Sequence, residues 1–272
     1  MSEATTQLTV HPESVQESSN KVLVLNTLED NDRVGETKRF LLRNGHVDIC
    51  EELRSSSDDL PLEGADVASL PYSVYSNTLW DGSLLLASFL RSQPWRVCGQ
   101  RVLEIGAGLG LPSIVAASLG GHVVATEQSP LDLLQREVRR NREVVDAARG
   151  SIDVQELDWA QHPEAIMQRL GSFDVVLGCD ILAGVKPGTE HFRQILGIVH
   201  SVGAAWATCL LTWVPRCGVE IKSLMAAVET SLPSWKVIFV DGSLLEAAYR
   251  TDGAEILLLT RSGNLLSLND LD

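Results

Sequence analysis

Three glycines at alternate positions, Gly106, Gly108 and Gly110, follow Glu104 within the stretch VLEIGAGLGLPS. Such spacing lets a ligand approach the backbone closely, and the spacing itself narrows which ligand. The dinucleotide fingerprint G-x-G-x-x-G would need its third glycine where Leu111 stands, and a P-loop needs a lysine that this stretch lacks. The negative charge of Glu104 would repel a pyrophosphate and favour a cationic ligand. Glu127 lies 21 residues after Gly106, at the end of the next apolar run. An acid at that distance receives ribose hydroxyls, and its two acceptor oxygens can hold a vicinal diol. These residues describe a ligand with a ribose and a positive charge but no phosphate. S-adenosylmethionine, with its adenosine, sulfonium and ammonium, fits. The competing reading is a strand-to-helix turn that merely prefers glycine. What favours a ligand is the position, beyond the first strand of an alternating region and at the start of a helix, where open α/β sheets bind.

The elements that must position these residues can be read from the pattern. Asp81 opens a helix over DGSLLLASFL, RVLEI is a short buried strand, and LPSIVAASLG is a helix ended by glycine. HVVAT is a strand, PLDLLQREVRRNREVVDAA one long helix with proline early, and SIDVQEL a strand. A helix near 163–170, the strand FDVVLGC, a helix near 189–201, the strand AAWATCLLT and a helix near 219–231 follow. WKVIFVDG and AEILLLTRS close the series as two strands without a confident helix between them. Strict alternation predicts a mostly parallel, doubly wound sheet covered on both faces, and the final pair an antiparallel edge. Ahead of this region, Asn44-Gly45 between two apolar stretches marks a β-hairpin. Residues 1–35 read as a flexible leader, 36–73 as the hairpin and a Ser/Asp/Gly/Pro-rich loop over 54–72, 74–264 as the main domain, and 265–272 as a tail.

Composition excludes several classes. The chain has 272 residues and a formal charge of −14, which argues against non-specific nucleic-acid binding and favours basic partners. Its five cysteines form no C-x-x-C pair, and an odd count does not suit a disulfide framework. A reducing compartment, the cytoplasm or the nucleus, and no zinc site follow. The six histidines show no ligand spacing, so no metal is expected. MSEATTQLTV lacks the charge and apolar core of a signal peptide, and VGAAWATCLLTWV is too short to span a bilayer. No membrane role and a monomer are the expectation.

Taken together, LEIGAGLG is similar to the first motif of the class I, seven-strand S-adenosylmethionine-dependent methyltransferases, which share a Rossmann-like α/β fold. More narrowly, the chain resembles the lysine-methyltransferase-like branch that acts on non-histone proteins. TLWDGSLLLASFL resembles the branch's Trp-Asp-or-Pro-small segment, ELDWA its Leu-x-Trp-Gly, VVLGCDIL its strand ending in small-Asp-x-x, and KRFLLRNGHVDICEE its amino-terminal hairpin. The resemblance covers about residues 38 to 262. It implies an N-methyltransferase whose substrate is a protein, such as a chaperone or translation factor. Gly106, Ala107, Gly108 and Gly110 would cradle the methionine end of the cofactor, and Glu104 would meet its ammonium. Glu127 would hold the ribose, with Gln128 beside the adenine and Asp158 and Trp159 flanking it. Trp80 would close the methionine side. Cys179 and Asp180 would stand between cofactor and substrate, Asp180 as the catalytic candidate. Each has a structural alternative: Trp80 as a core anchor, Trp159 as a packing cap, Asp180 as a helix N-cap, Glu127 as a solvated turn residue, Cys179 as a small buried side chain.

One departure bears on the substrate. The branch carries an aromatic three residues after the strand-ending aspartate, where this chain has Ala183. That aromatic would wall the substrate nitrogen, and Tyr72, Tyr75 and Tyr249 are the candidates to replace it. The Ala160 that ends LDWA, where the branch has glycine, is a conservative change. A lysine-directed enzyme is therefore read beside two alternatives: a small-molecule methyltransferase on the same fold, and a non-catalytic module that binds the cofactor or a partner.

Overall fold

The computed structural model describes residues 22–28, 34–52, 76–182, 185–215, 220–250 and 253–261. The loop over 54–72, the tail, Tyr72, Tyr75, Ala183 and Cys217 lie outside the described residues.

Seven strands form the main sheet: β4 (Arg101–Ile105), β5 (His122–Glu127), β6 (Ser151–Glu156), β7 (Phe173–Cys179), β8 (Gly203–Trp213), β9 (Trp235–Phe239) and β10 (Glu255–Arg261). Their order is β6-β5-β4-β7-β8-β10-β9. The first five are parallel, and β10 runs antiparallel between β8 and β9. The helices are α1 (Asp81–Ser92), α2 (Leu111–Ser118), α3 (Asp132–Arg140), α4 (Arg142–Ala147), α5 (Pro163–Leu170), α6 (Glu190–Val202) and α7 (Ile221–Ser231). They cover both faces, so β4 and β7 at the centre are almost wholly buried, as a two-sided sheet demands. Strand order reverses between β4 and β7, and the glycine turn leaves β4 at that point. The β9–β10 connection, expected to lack a helix, holds two short 3₁₀ turns, Gly242–Leu244 and Ala247–Tyr249.

Three features differ from the reading of the pattern. The long helix over 130–148 is two helices broken at Asn141. A second sheet, β1 (Val22–Leu28), β2 (Val34–Leu42) and β3 (Gly45–Glu52), has three antiparallel strands, so part of the expected leader is a strand paired with β2. Its segment VLVLNTL has the apolar, β-branched character that such pairing needs. The hairpin itself is present, but Leu42 pairs with Gly45, so the turn is Arg43-Asn44. Positive φ falls on Gly45 (+149°), the residue that tolerates it.

Asn141 explains both the helix break and the docking of the small sheet. Its amide bonds both backbone groups of Asp48, accepting from the N–H and donating to the C=O at 2.7 Å each, and also donates to the Glu137 carbonyl at 2.8 Å. One turn earlier, the fully buried Glu137 accepts the Cys50 N–H at 3.0 Å, and Arg136 donates to the Cys50 carbonyl at 3.1 Å. Arg136 and Arg140 pair with Glu137, so its buried charge is compensated. Helix side chains thereby satisfy the outward-facing groups of an edge strand, which would otherwise invite another strand. Asn141→Ala leaves the Asp48 groups without these partners and should destabilise the fold by about 2–4 kcal/mol. Urea denaturation measures the loss, and amide exchange at Asp48 should rise with it.

Candidate active site

The glycine turn needs its glycines for conformation as well as space. Gly106, Gly108 and Gly110 have φ of +67°, +54° and +79°, a region that strains a residue carrying Cβ. A Cβ on Gly106 would stand 3.0 Å from both Trp159 and Ile181, and one on Gly110 would stand 2.5 Å from Leu134 of α3. The Ser76 carbonyl lies over Gly108. The turn is therefore bounded by the segment before α1 on one side and by Trp159 and Ile181 on the other. It is closed by bonds from the Ala107 N–H to the Thr126 carbonyl and from the Gly110 N–H to the Ala107 carbonyl, both 2.8 Å.

Two carboxylates serve this turn in opposite ways. Glu127, half-buried at the end of β5, accepts the Gly108 N–H at 2.7 Å on one oxygen and the Gln128 N–H at 2.8 Å on the other. Glu104 is completely buried at the heart of β4. Its Oε2 accepts both the N–H (2.9 Å) and the hydroxyl of Ser113 in the first turn of α2. Its Oε1 is buried with no hydrogen-bond partner. Burial pushes the Glu104 carboxyl up to about 8; the two Ser113 bonds hold it down, the charge of Glu127 raises it further, and the neighbouring Cys179 thiol lowers it. A buried acceptor left this way costs free energy unless a donor reaches it.

The remaining candidates gather at the ends of the same strands. Trp159, half-buried just beyond β6, packs on the Gly106 turn and meets His191 edge-to-face at 5.0 Å between ring centroids. Asp158 accepts the Ala160 N–H at 2.9 Å, a local turn that orients Trp159. Gln128 is exposed at the rim. Trp80 occupies the N-cap position of α1, its carbonyl accepting the Ser83 N–H at 2.9 Å. The small sheet helps to place it, because Glu51 of β3 accepts the N–H of Leu79 at 2.5 Å. Cys179 is buried at the end of β7, and burial raises its thiol well above the usual range, with the charges of Glu104 and Asp180 adding to the effect.

Asp180 has a left-handed backbone with φ +54°, and its N–H donates to the Thr212 hydroxyl at 3.1 Å. Its carboxylate is turned inward, so close to Gly82 that a Cβ there would stand 2.8 Å from it. Asp180 therefore faces the first turn of α1, where a negative charge complements the helix N-terminus. Tyr249 is not brought to the site. It packs on Phe40 at 5.7 Å and beside Arg91, about 15 Å along α1 from Asp81 at 1.5 Å per residue. It cannot replace the aromatic absent at Ala183.

Residues that the sequence reading passed over also belong here: Ser113, which holds Glu104, and Gly82 and Thr212, which surround Asp180. Gly82 had a signal, the small residue of WDG. Thr212 had none, since a threonine near the end of a buried strand is unremarkable without knowledge of its neighbour. Among the described residues, no group of three or more His, Cys, Asp or Glu side chains can hold a metal ion, and no helix is long and apolar enough to cross a membrane.

Known proteins bear on this arrangement. Residues 72–195 match the family described as lysine methyltransferase. The protein N-lysine methyltransferase METTL21A of Danio rerio is 36% identical over 105 residues, covering 38% of this chain and 46% of the relative. The calmodulin-lysine N-methyltransferase of Arabidopsis thaliana is 34% identical over 154 residues, covering 55% and 48%. The chain thus spans about half the length of the curated relatives it matches. In fold, it is similar to the Thermus thermophilus 16S rRNA N2 G1207 methyltransferase solved with AdoMet and guanosine, with a TM-score of 0.53 at 12% identity, over 88% of this chain and 58% of that one.

Proposed function

We propose, from a chain whose residues 72–195 match the family described as lysine methyltransferase, that this protein is an S-adenosylmethionine-dependent N-methyltransferase acting on a lysine of another protein. The observation that carries the cofactor assignment is the buried, partnerless Oε1 of Glu104 beneath a turn of three left-handed glycines. An ammonium is the donor this oxygen lacks, and the turn admits no Cβ at its edges. The residues fit the group.

When bound, the cofactor supplies an electrophilic methyl carbon on a sulfonium. The chain's own residues hold it and prepare the acceptor. Glu104 takes the ammonium, and the backbone of Gly106, Ala107, Gly108 and Gly110 passes beside the methionine end. Glu127 would hold the ribose diol. Gln128, Asp158 and Trp159 would bound the adenine, and Trp80 would close the methionine side. Cys179 and Asp180 lie on the acceptor's side of β7. A lysine has a pKa of about 10.4 and must lose its proton before it can attack. Desolvation in a closing site lowers that value, and alignment at roughly 3–3.5 Å does most of the rest. The −14 charge draws a basic target surface towards the site. We place the protein in the cytoplasm or nucleus, in keeping with free thiols at Cys98, Cys179 and Cys209, and as a monomer that meets its substrate, for which a chaperone or translation factor is the leading candidate.

The test uses methyl-labelled cofactor and a protein extract. Label should appear in protein bands and be recovered as methyllysine after hydrolysis. Label confined to material below protein size would replace the acceptor with a small molecule. Tight cofactor binding without any transfer would leave a binding module.

A further inference from the structure

We propose that Thr212 is a positioning residue for methyl transfer: its hydroxyl draws the Asp180 N–H out of the strand ladder, fixes Asp180 in its left-handed conformation, and so sets where its carboxylate meets the first turn of α1. This rests on the methyltransferase reading above and adds to it a residue from β8, a strand that contributes none of the cofactor contacts assigned there.

Regular pairing between β7 and β8 ends at Cys179 and Thr212. The next donor along β7 is the Asp180 N–H, and in an uninterrupted ladder it would seek a main-chain acceptor. Instead it bonds the Thr212 side chain at 3.1 Å. The chain can then leave the sheet at once, and it does so with φ +54°, a conformation that is unfavourable for a residue carrying Cβ. Aspartate tolerates it better than most, but something must hold it there. Thr212 is almost completely buried, so its hydroxyl is shielded from bulk water. The same hydroxyl also supports the Cys179 thiol, as does Ser83 of α1.

The opposite wall is shaped to match. Gly82 is packed so tightly that a Cβ would collide with both the Thr212 hydroxyl and the Asp180 carboxylate. Three elements therefore meet at one point: the ends of β7 and β8 and the start of α1. Thr212 acts through Asp180 and does not touch the cofactor turn, so its loss should affect the transfer step and spare cofactor affinity.

The experiment compares Thr212→Val, which keeps the shape and removes the acceptor, with Thr212→Ser, which keeps the acceptor. Three readouts are taken: amide exchange at Asp180, calorimetric binding of S-adenosylhomocysteine, and the initial rate of methyl label incorporation into a protein extract at saturating cofactor. Thr212→Val should expose the Asp180 amide and slow labelling by about 10-fold or more, with affinity within about threefold of the parent. Thr212→Ser should restore both protection and rate. Unchanged protection at Asp180 in Thr212→Val would overturn the proposal whatever the activity. So would equal loss in both variants, or a loss of affinity that accounts for the rate. If the parent protein itself transfers no label, the methyltransferase reading falls, while the exchange result still decides whether Thr212 holds Asp180.

Discussion

Glu127→Ala should weaken S-adenosylhomocysteine binding by about 100-fold or more. The carboxylate ends β5 with both oxygens directed at backbone donors, one 2.7 Å from the Gly108 nitrogen of the glycine turn and the other 2.8 Å from the Gln128 nitrogen next in the chain. Two hydrogen bonds from a ribose diol to a charged acceptor are worth about 3 kcal/mol together, and that is about 100-fold in affinity. The apoprotein should lose far less, because Glu127 is half-exposed and water can serve Gly108 in its place. Calorimetry on both proteins, with a thermal melt as control, separates the two effects. Affinity within threefold of the parent would move the ribose elsewhere and take the cofactor assignment with it.

Glu104→Gln should do two things that point in opposite directions. Burial raises the Glu104 carboxyl from 4.5 to about 8. Between those values the folded protein holds a proton that the unfolded chain releases, so stability falls as pH rises through that window. The loss is complete above about pH 8 and amounts to at most about 5 kcal/mol. An uncharged amide keeps an acceptor for the Ser113 bonds and removes that penalty. The variant should therefore melt higher than the parent at pH 8 and show little difference near pH 4.5. Cofactor affinity should fall at the same time, by 10-fold or more, because the ammonium loses its counter-charge. In the parent, the arriving ammonium favours the ionised carboxylate, so binding near pH 7 should release a proton, seen as a dependence of calorimetric heat on buffer ionisation enthalpy. A variant that is less stable at pH 8 would show that Glu104 is held by something other than Ser113.

The alternation of apolar runs was enough to place the main sheet, because a sheet buried on both faces imposes a period that few other folds share. Strand RVLEI and helix 163–170 occur where the pattern sets them. The glycine turn is legible for a related reason: a left-handed backbone requires glycine, and glycine spacing survives in one dimension. What failed were contacts between distant segments. Nothing near Asn141 announces that its partner is Asp48, 93 residues away, so a helix with a continuous charged face was read through the break. Nothing in the spacing shows that the Asp180 carboxylate is directed at Gly82, or that Tyr249 packs on Phe40. In each case a side chain's direction depends on a neighbour from another element, and sequence spacing holds no information about it.

The bonds from α3 to β3 carry a consequence for folding. Asp48 and Asn141 are far apart in sequence, so closing the loop between them costs chain entropy, and this contact should form late, after the main sheet has made α3. Until then the small sheet shows an unpaired edge at Asp48 and Cys50, and the same edge returns whenever the latch opens in the native protein. An open edge recruits strands from other molecules. Misassembly under mild heating should therefore begin at β3, with the core sheet still intact, and a tighter latch should raise the temperature at which aggregates first form.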